Sequence, residues 1–508
     1  MSRFQLATAA VLAGAALSLA FPEPDLAPIA WIGLAPLILL LKARPLHRAA
    51  EIGFLFGVGF FGSLLVWISI VGWAAWFMLV VLQSLFIALF ATTWAAGAGR
   101  LHPLARAGAT SALWVTFEWA RSIVPVVGFT WGELAQSQHN AAWMLRPAAF
   151  GGRHLVAAIV VVVNALIVEA IWARRKRPYR WIAAALLLVA LPVLLPARKT
   201  DGPTMKVAVV QGNVPEDFAG TFHEKDLAIL DSHARLTSSL AGQGVDLVVW
   251  PESSVGIDLE RDSEVAATVE SSARAADATM IVGGNLDLDD SRYQVMAFLV
   301  DPTGVVADRY QKTHLVPFGE YVPARAFLDF IPMLDQVPRD AVPGRAATLF
   351  DVQGHKVAPV ISFEGDFGGL VRSRIAAGGR LLIVATNTST WRRSWASAQH
   401  VAMSQVRAAE NGVWTIHAAL SGISAVIGPD GRTEASSELW VADTLVHEVG
   451  IATKVTPYAR WGDLVVWLSV VTAVLAVVYG LRRGRYMVPP DRSRSGSETQ
   501  EERTSDGA

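Results

Sequence analysis

The 508-residue sequence predicts a helical membrane bundle of about eight spans joined to an α/β domain with a mixed sheet. Three observations carry that expectation. Apolar segments of roughly 15 to 25 residues recur over the first two hundred positions, close to the ~20 that cross a bilayer as a helix. Hydrophobic residues make up 53 % of the chain and charged residues 17 %, with a mean hydropathy of +0.39, well above a soluble protein of this length. From Met205 onward the texture changes to short β-branched runs alternating with polar, helix-periodic stretches.

The apolar segments are 4–21, 27–41, 52–71, 74–98, 107–120, 155–172 and 181–195, with an eighth at 464–481. The first has the length of a signal peptide, but no convincing cleavage site precedes the next apolar run, so it is read as a helix. Basic residues fall on alternate connections: Lys42, Arg44 and Arg48; Arg100 and Arg106; Arg174, Arg175, Lys176, Arg177 and Arg180; then Arg482, Arg483 and Arg485. The opposite connections carry few or none. Positive-inside asymmetry then puts both termini in the cytoplasm and residues 196–462 outside it. Glu118 and Arg121, in WVTFEWAR, sit near the outer end of the fifth segment. Charges at that depth face the bundle or a cavity, or else anchor the helix end at the interface. The loop that follows, VVGFTWGELAQSQHNAAWM, mixes apolar and aromatic residues and is expected at the membrane surface.

Six runs in the α/β region read as buried strands: MKVAVVQGN, VDLVVWPE, TMIVGGN, YQVMAFLVD, KVAPVISFE and RLLIVATN. Helical patterns lie at 223–240, 264–275 and 396–410, and the turn signals DPTG and GPDG mark two antiparallel pairs. The resulting layout is a seven-span bundle over 1–200, an extracytoplasmic domain over 201–455, and an eighth span over 456–483. A polar tail, 484–508, is expected to be disordered.

Composition also excludes. A formal charge of −1 lacks the basic stripe of a nucleic-acid binder. With no cysteine, disulfides and thiolate metal sites are ruled out, and the histidines occur singly, without HExxH or HxxxH spacing. Gly283 and Gly284, in VGGN, are read as a strand-end turn without phosphate-loop spacing, so no metal or nucleotide cofactor is expected.

Three strand ends carry the candidate chemistry. In HKVAPVISFEGDFG a β-branched run stops at Ser362 and turns through glycine, as a chain does when it lifts a nucleophile to a sheet edge. Ser362 also suits a small buried residue closing a strand. The main-chain N–H of Phe363 is a natural oxyanion donor. Glu252, in VVWPE, ends another strand; partial desolvation raises a carboxylate pKa and suits it to act as a base, though a turn carboxylate fits the same position. Lys312, after 305–310, can stabilise an oxyanion and hold the base, where a surface lysine would do neither. Glu320, in PFGEYVP, is fixed by turn residues on both sides and reads equally as a loop carboxylate. Asn387 and Trp391, in ATNTSTW, end the next strand and line the same rim or simply pack there.

The combination of WPE, KTHLVPFGEYVP and a nucleophile followed by aromatic-Glu resembles the nitrilase superfamily of carbon–nitrogen hydrolases. Residues 312–323 are similar to its membrane branch, the apolipoprotein N-acyltransferases. VQGN at Val210, FEWAR at Phe117, GFTW with the later Ser137 and Gln138, and the helices on both sides of the α/β region extend the likeness over nearly the whole chain except the tail. The resemblance implies an αββα nitrilase-like sandwich beside the bundle, in a multi-pass protein of the bacterial inner membrane. It implies two-step acyl transfer: a membrane phospholipid is the acyl donor, and the α-amine of a diacylglyceryl-lipoprotein is the acceptor. By position, Glu252 is the general base, Lys312 the oxyanion-stabilising lysine, and Glu320 and Glu364 supporting carboxylates; Asn387 and Trp391, on the rim, are the substrate-binding candidates. Some relatives work beside a polyprenol-phosphate mannose synthase, a possible partner on the same grounds.

The sequence departs from that family at the centre. Its nucleophile is a cysteine, replaced here by Ser362; its tyrosine is Phe363, and its GFPW is GFTW with Thr130. A thiol near pKa 8.5 costs about 2 kcal/mol to ionise at pH 7, whereas a hydroxyl near 15.7 costs roughly 12 kcal/mol. The serine must therefore attack as its proton is removed by Glu252. A working serine enzyme, a weak paralogue and an engineered substitution all fit the substitution itself. Two other classes of function fit the whole: a silent membrane protein that binds lipid or lipoprotein, and a membrane-tethered amidase.

Overall fold

The computed structural model describes residues 2–124, 128–173, 177–216, 218–328, 330 and 332–486. Arg174, Arg175, Lys176 and positions 487–508 of the expected disordered tail lie outside the described residues. Helices cover all eight apolar segments: Arg3–Ser18, short pieces within Ala27–Leu41, Leu46–Leu64, Trp73–Ala96, Pro103–Ile123, Ala148–Ala173, Tyr179–Ala190 and Leu464–Tyr486. Among the described residues three stretches, Trp73–Arg100, Ala148–Ala173 and Leu464–Arg482, are long and apolar enough to cross a membrane by length and composition. Small residues bring neighbouring helices together. A Cβ on Gly14 would lie 2.0 Å from the carbonyl oxygen of Phe56, and one on Gly59 2.0 Å from that of Val11. Close backbone approach of this kind suits helix pairing in lipid, where burial of apolar surface gives little drive.

Thirteen strands form two sheets among the described residues. The first contains β1 (Thr204–Gln211), β2 (Leu247–Val249), β3 (Thr279–Asp287), β4 (Arg292–Val300), β5 (Val306–Gln311) and β6 (Asp340–Ala341). The second contains β7 (Phe350–Val352), β8 (His355–Ile361), β9 (Leu381–Thr386), β10 (Thr415–Ala419), β11 (Ala425–Ile427) and β12 (Thr433–Ser436). β13 (Asp443–Gly450) returns to pair with β1, giving the order β13-β1-β2-β3-β4-β5 with β6 on β4, against β12-β11-β10-β9-β8-β7. Both turn signals join antiparallel neighbours, DPTG between β4 and β5 and GPDG between β11 and β12.

Side-chain alternation explains why two sheets stack. Val207, Val209, Val249 and Ile281 of the first sheet face Val357, Ile361, Ile383 and Ile416 of the second in one buried layer. Their neighbours Ala208, Val248 and Met280 pack outward beneath the helices Phe222–Ser238 and Ser263–Ala276. Ala358, Val360, Leu382 and Val384 do the same beneath Gly368–Ala376. A period of two with both faces covered yields helix–sheet–sheet–helix layers, the expected αββα sandwich. One expectation fails here. Gly283 and Gly284 lie inside β3, paired with Ala297 and Met296, rather than in a turn at its end. Their lack of side chains serves a crossing chain: a Cβ on Gly283 would lie 2.2 Å from the carbonyl oxygen of Pro251.

The helix Ala396–Asn411 joins sandwich and bundle, and all its residues except Ala398 are buried. Gln399 donates to the carbonyls of Pro22 and Leu64 and accepts from the Trp67 indole; Gln405 Oε1 accepts from His139 Nδ1 at 2.7 Å. Farther along, Arg153 lies 2.7 Å from Glu133 and its main-chain N–H donates to Glu410, which also pairs with Arg407 at 3.0 Å. The helix Ala148–Ala173 is broken at Gly151 and Gly152, and Gly152 (φ +67°) packs where a Cβ would meet the Tyr458 ring at 2.5 Å. Glu118 and Arg121 are buried in the bundle and fold the following loop. Arg121 donates to the carbonyls of Phe129 and Trp131, and Glu118 accepts from the N–H of Leu134.

Candidate active site

Glu252 is set by the end of β2. Trp250 is fully buried and its indole donates to Thr237, while Ser254 and Val255 donate to the carbonyl of Gly283. The WPE bend is thereby laid across β3 at its glycine pair. Lys312 follows β5 and has no exposed surface. Its Nζ lies 3.0 Å from Glu252 Oε1 and also donates to Glu320 Oε1. Glu320 is locked in turn by the N–H of Val316 on Oε2, at 2.9 Å.

The electrostatics follow from burial and pairing. Desolvation pushes the Glu252 carboxyl above its usual range, with the Lys312 ammonium pulling it back and Glu320 adding to the rise. Burial works against the charge on Lys312, but the two carboxylates outweigh it and hold its pKa above the usual lysine value. The cluster therefore carries a permanent ammonium between two carboxyl groups.

Ser362 sits where β8 stops, with φ +50° in the left-handed region. A β-carbon there is strained, by about 1–3 kcal/mol for a non-glycine residue, and such residues gather at functional turns. The short helical turn Ser362–Asp366 follows, then the helix Gly368–Ala376. The end of β9 ties Ser362 and Glu252 together. The Thr386 hydroxyl donates to Ser362 Oγ at 3.1 Å, and the next main-chain N–H, of Asn387, donates to Glu252 Oε2 at 2.9 Å.

The other expected residues take distinct places. Glu364 is buried away from Lys312. It accepts from the Tyr310 hydroxyl, the Thr313 N–H and hydroxyl, and the main-chain N–H groups of His314 and Ile361. It fastens the loop after Lys312 to the end of the nucleophile's strand. Asn387 reaches the site through its main chain, while its side-chain oxygen accepts from Ser389. Trp391 stands edge-on to Trp67, ring centres 4.5 Å apart, and Trp67 continues to Trp131 at 5.6 Å. Phe363 stacks toward Trp131 at 6.2 Å and meets Phe367 edge-on at 4.8 Å. The bundle loop thus supplies one wall of the site. Sequence reasoning missed Thr386, Asp366 and His400; the only available signal was that Thr386 directly precedes Asn387 in ATN.

Comparison with known proteins agrees with this layout. A family model of the apolipoprotein N-acyltransferase N-terminal domain matches residues 13–166, and one of carbon-nitrogen hydrolases matches residues 206–454. The apolipoprotein N-acyltransferase of Geobacter metallireducens is 31 % identical, covering 93 % of this chain and 95 % of its own. That of Mycolicibacterium smegmatis is also 31 % identical, over 96 % and 88 %. Among solved structures, an amidase from Nesterenkonia sp. aligns with a TM-score of 0.36 at 19 % identity, covering 49 % of this chain and 91 % of that one. With helical and hydrolase regions matched in the same order, and full-length relatives at this identity, the chain belongs to the apolipoprotein N-acyltransferase family.

Proposed function

We propose that the chain moves a fatty acyl group from a membrane phospholipid to the α-amine of a diacylglyceryl-cysteine lipoprotein through an ester on Ser362. The observation that carries this reading is the link made by consecutive residues at the end of β9, with Thr386 on Ser362 and the following Asn387 on Glu252, beside the buried Lys312 ammonium. In the first half, Glu252 takes the hydroxyl proton as Ser362 Oγ attacks the ester carbonyl. The bond to glycerol breaks, the departing oxygen takes the proton from Glu252, and a lysophospholipid leaves. In the second half the amine attacks the serine ester and gives a proton to Glu252. The bond to Oγ breaks, the proton returns to Oγ, and an amide remains.

Lys312 and the main-chain N–H of Phe363 serve the oxyanion in both halves. Two of the three N–H groups of the ammonium go to Glu252 and Glu320, which leaves the third for substrate. Preorganised donors of this type contribute several kcal/mol to acyl transfer, about 2.7–4 kcal/mol for one oxyanion donor. Glu320 and Glu364 are supporting residues, the first holding Lys312 and the second its loop. The aromatic wall of Phe363, Trp391, Trp67 and Trp131 suits acyl chains that arrive from the bilayer.

The proposed setting is a bacterial inner membrane, with both termini cytoplasmic and the sandwich outside. Alternation of Lys and Arg among the connections supports it. The test is made in a strain lacking its own enzyme. Mass spectrometry of a lipoprotein N-terminus should show a third acyl chain when the chain is expressed and only two with Ser362→Ala. Diacyl lipoprotein persisting despite good expression of the wild type would refute the reading.

A further inference from the structure

Beneath the nucleophile runs a second polar chain that the Glu–Lys–Ser cluster does not include. Thr386 Oγ1, which donates to Ser362 Oγ at 3.1 Å, lies 3.4 Å from His400 Nδ1. On the far side of the ring, His400 Nε2 lies 3.1 Å from Asp366 Oδ1. Thr386, His400 and Asp366 are all at most 3 % exposed, so no water competes for these contacts.

The surroundings decide the proton on that ring. Burial opposes a charge on His400, but Asp366 outweighs it, and Glu252 and the Ser362 carbonyl add to the rise above the ordinary histidine value. His417, edge-on at 4.8 Å, is driven well below that value by burial and by His400 itself, so it adds no positive charge. Its Nδ1 meets Ser404 at 2.8 Å. Arg407 donates to the main-chain oxygen of Asp366, and the Trp131 ring closes the remaining side at 6.1 Å. Asp366 thereby favours the imidazolium form of His400, which has donors only. In that form Nδ1–H faces the Thr386 oxygen 3.4 Å away, and the Thr386 hydrogen goes to Ser362 Oγ.

Resting on the acyl-transfer reading, we infer that His400, held by Asp366, is a positioning residue that makes Thr386 a charge-backed hydrogen-bond donor to Ser362 Oγ, a device fitted to an oxygen nucleophile. Oγ bears growing negative charge when its ester is cleaved by the amine. An alkoxide is a far worse leaving group than a thiolate, and oxygen accepts hydrogen bonds where sulfur does so weakly. A donor at this spot therefore matters for serine and little for cysteine.

The experiment uses the full-length protein in phospholipid vesicles, with intact mass following the acyl adduct and a synthetic diacylglyceryl-cysteine peptide discharging it. Thr386→Val and His400→Asn are made in the wild type and beside Ser362→Cys. In the serine protein each should slow discharge by roughly 10- to 100-fold, the range for a charge-assisted bond, with Thr386→Ser restoring it. Beside Ser362→Cys the same changes should stay within about threefold, since the thiolate leaves without a donor. Discharge in the wild type should also fall as pH rises through the imidazolium pKa, a limb that His400→Asn lacks. Equal losses in the serine and cysteine proteins would reveal a merely structural role and overturn the inference alone. No adduct on the wild type at all would overturn acyl transfer through Ser362, and the inference with it.

Discussion

The main-chain N–H of Asn387 lies 2.9 Å from Oε2 of Glu252, so this carboxylate, the proposed general base, is oriented from the end of β9, next to the strand of Ser362, rather than by its own strand. The carboxylate is held at both oxygens, by Lys312 on one and Asn387 on the other. It has little rotational freedom, and its proton affinity is set by burial against pairing.

That balance gives a pH dependence. In the proposed reaction Glu252 must be ionised to take the serine proton, and burial holds its pKa above the ordinary carboxylate value. Adduct formation should be lost as pH falls through the raised pKa and recover above it. Its acidic limb should therefore lie at higher pH than a solvent-exposed glutamate would give. Glu252→Gln should abolish the adduct across the range. Initial rates of adduct formation against pH, read by intact mass, measure both.

Lys312→Met removes the cation from between two carboxyl groups. Breaking a buried pair on one side destabilises by about 3–5 kcal/mol, so the melting temperature should fall clearly. In the molecules that remain folded, Glu252 loses its strongest lowering influence, and the acidic limb should move further up in pH. A limb that stays in place would mean the ammonium does not tune the base.

Glu364→Gln separates support from chemistry. An amide can accept at one end only, so donors from Tyr310, Thr313, His314 and Ile361 lose partners. Each unsatisfied buried group is worth roughly 1–3 kcal/mol. Thermal unfolding should show the loss, while the acidic limb of adduct formation should not move.

Arg153→Met tests the joint between bundle and sandwich. Glu133 would be left buried without its cation, at about 3–5 kcal/mol, while Glu410 keeps Arg407. Limited proteolysis should then cut the chain near 196–203 faster than in the wild type. Unchanged cleavage would show that the apolar contacts alone hold the joint.

The three strand ends were legible because chemistry and punctuation coincide there: β-branched runs stop at WPE, at Lys312 and at Ser362, and the breaks are visible in one dimension. The sandwich was legible for the same reason, in alternating runs bounded by turns. β10 was missed because Thr415–Ala419 is short, although Asn411–Gly412 and Ser421–Gly422 bracket it. His400 was invisible for a different cause. Its helix is buried nearly all round, so no periodicity separates a residue beneath the nucleophile from one facing the bundle. Gly283 misled because glycine signals turns locally, whereas here it admits another stretch of chain, a fact held in the tertiary structure.

The helix Ala396–Asn411 has no spare face, and this limits how the protein can be handled. Excising the hydrolase portion as a free-standing soluble enzyme would strip the bundle's partners from Gln399, Gln405 and Glu410 and bare the rings of Phe363 and Trp391. The lipid-embedded half is therefore scaffolding for the reaction as well as an anchor.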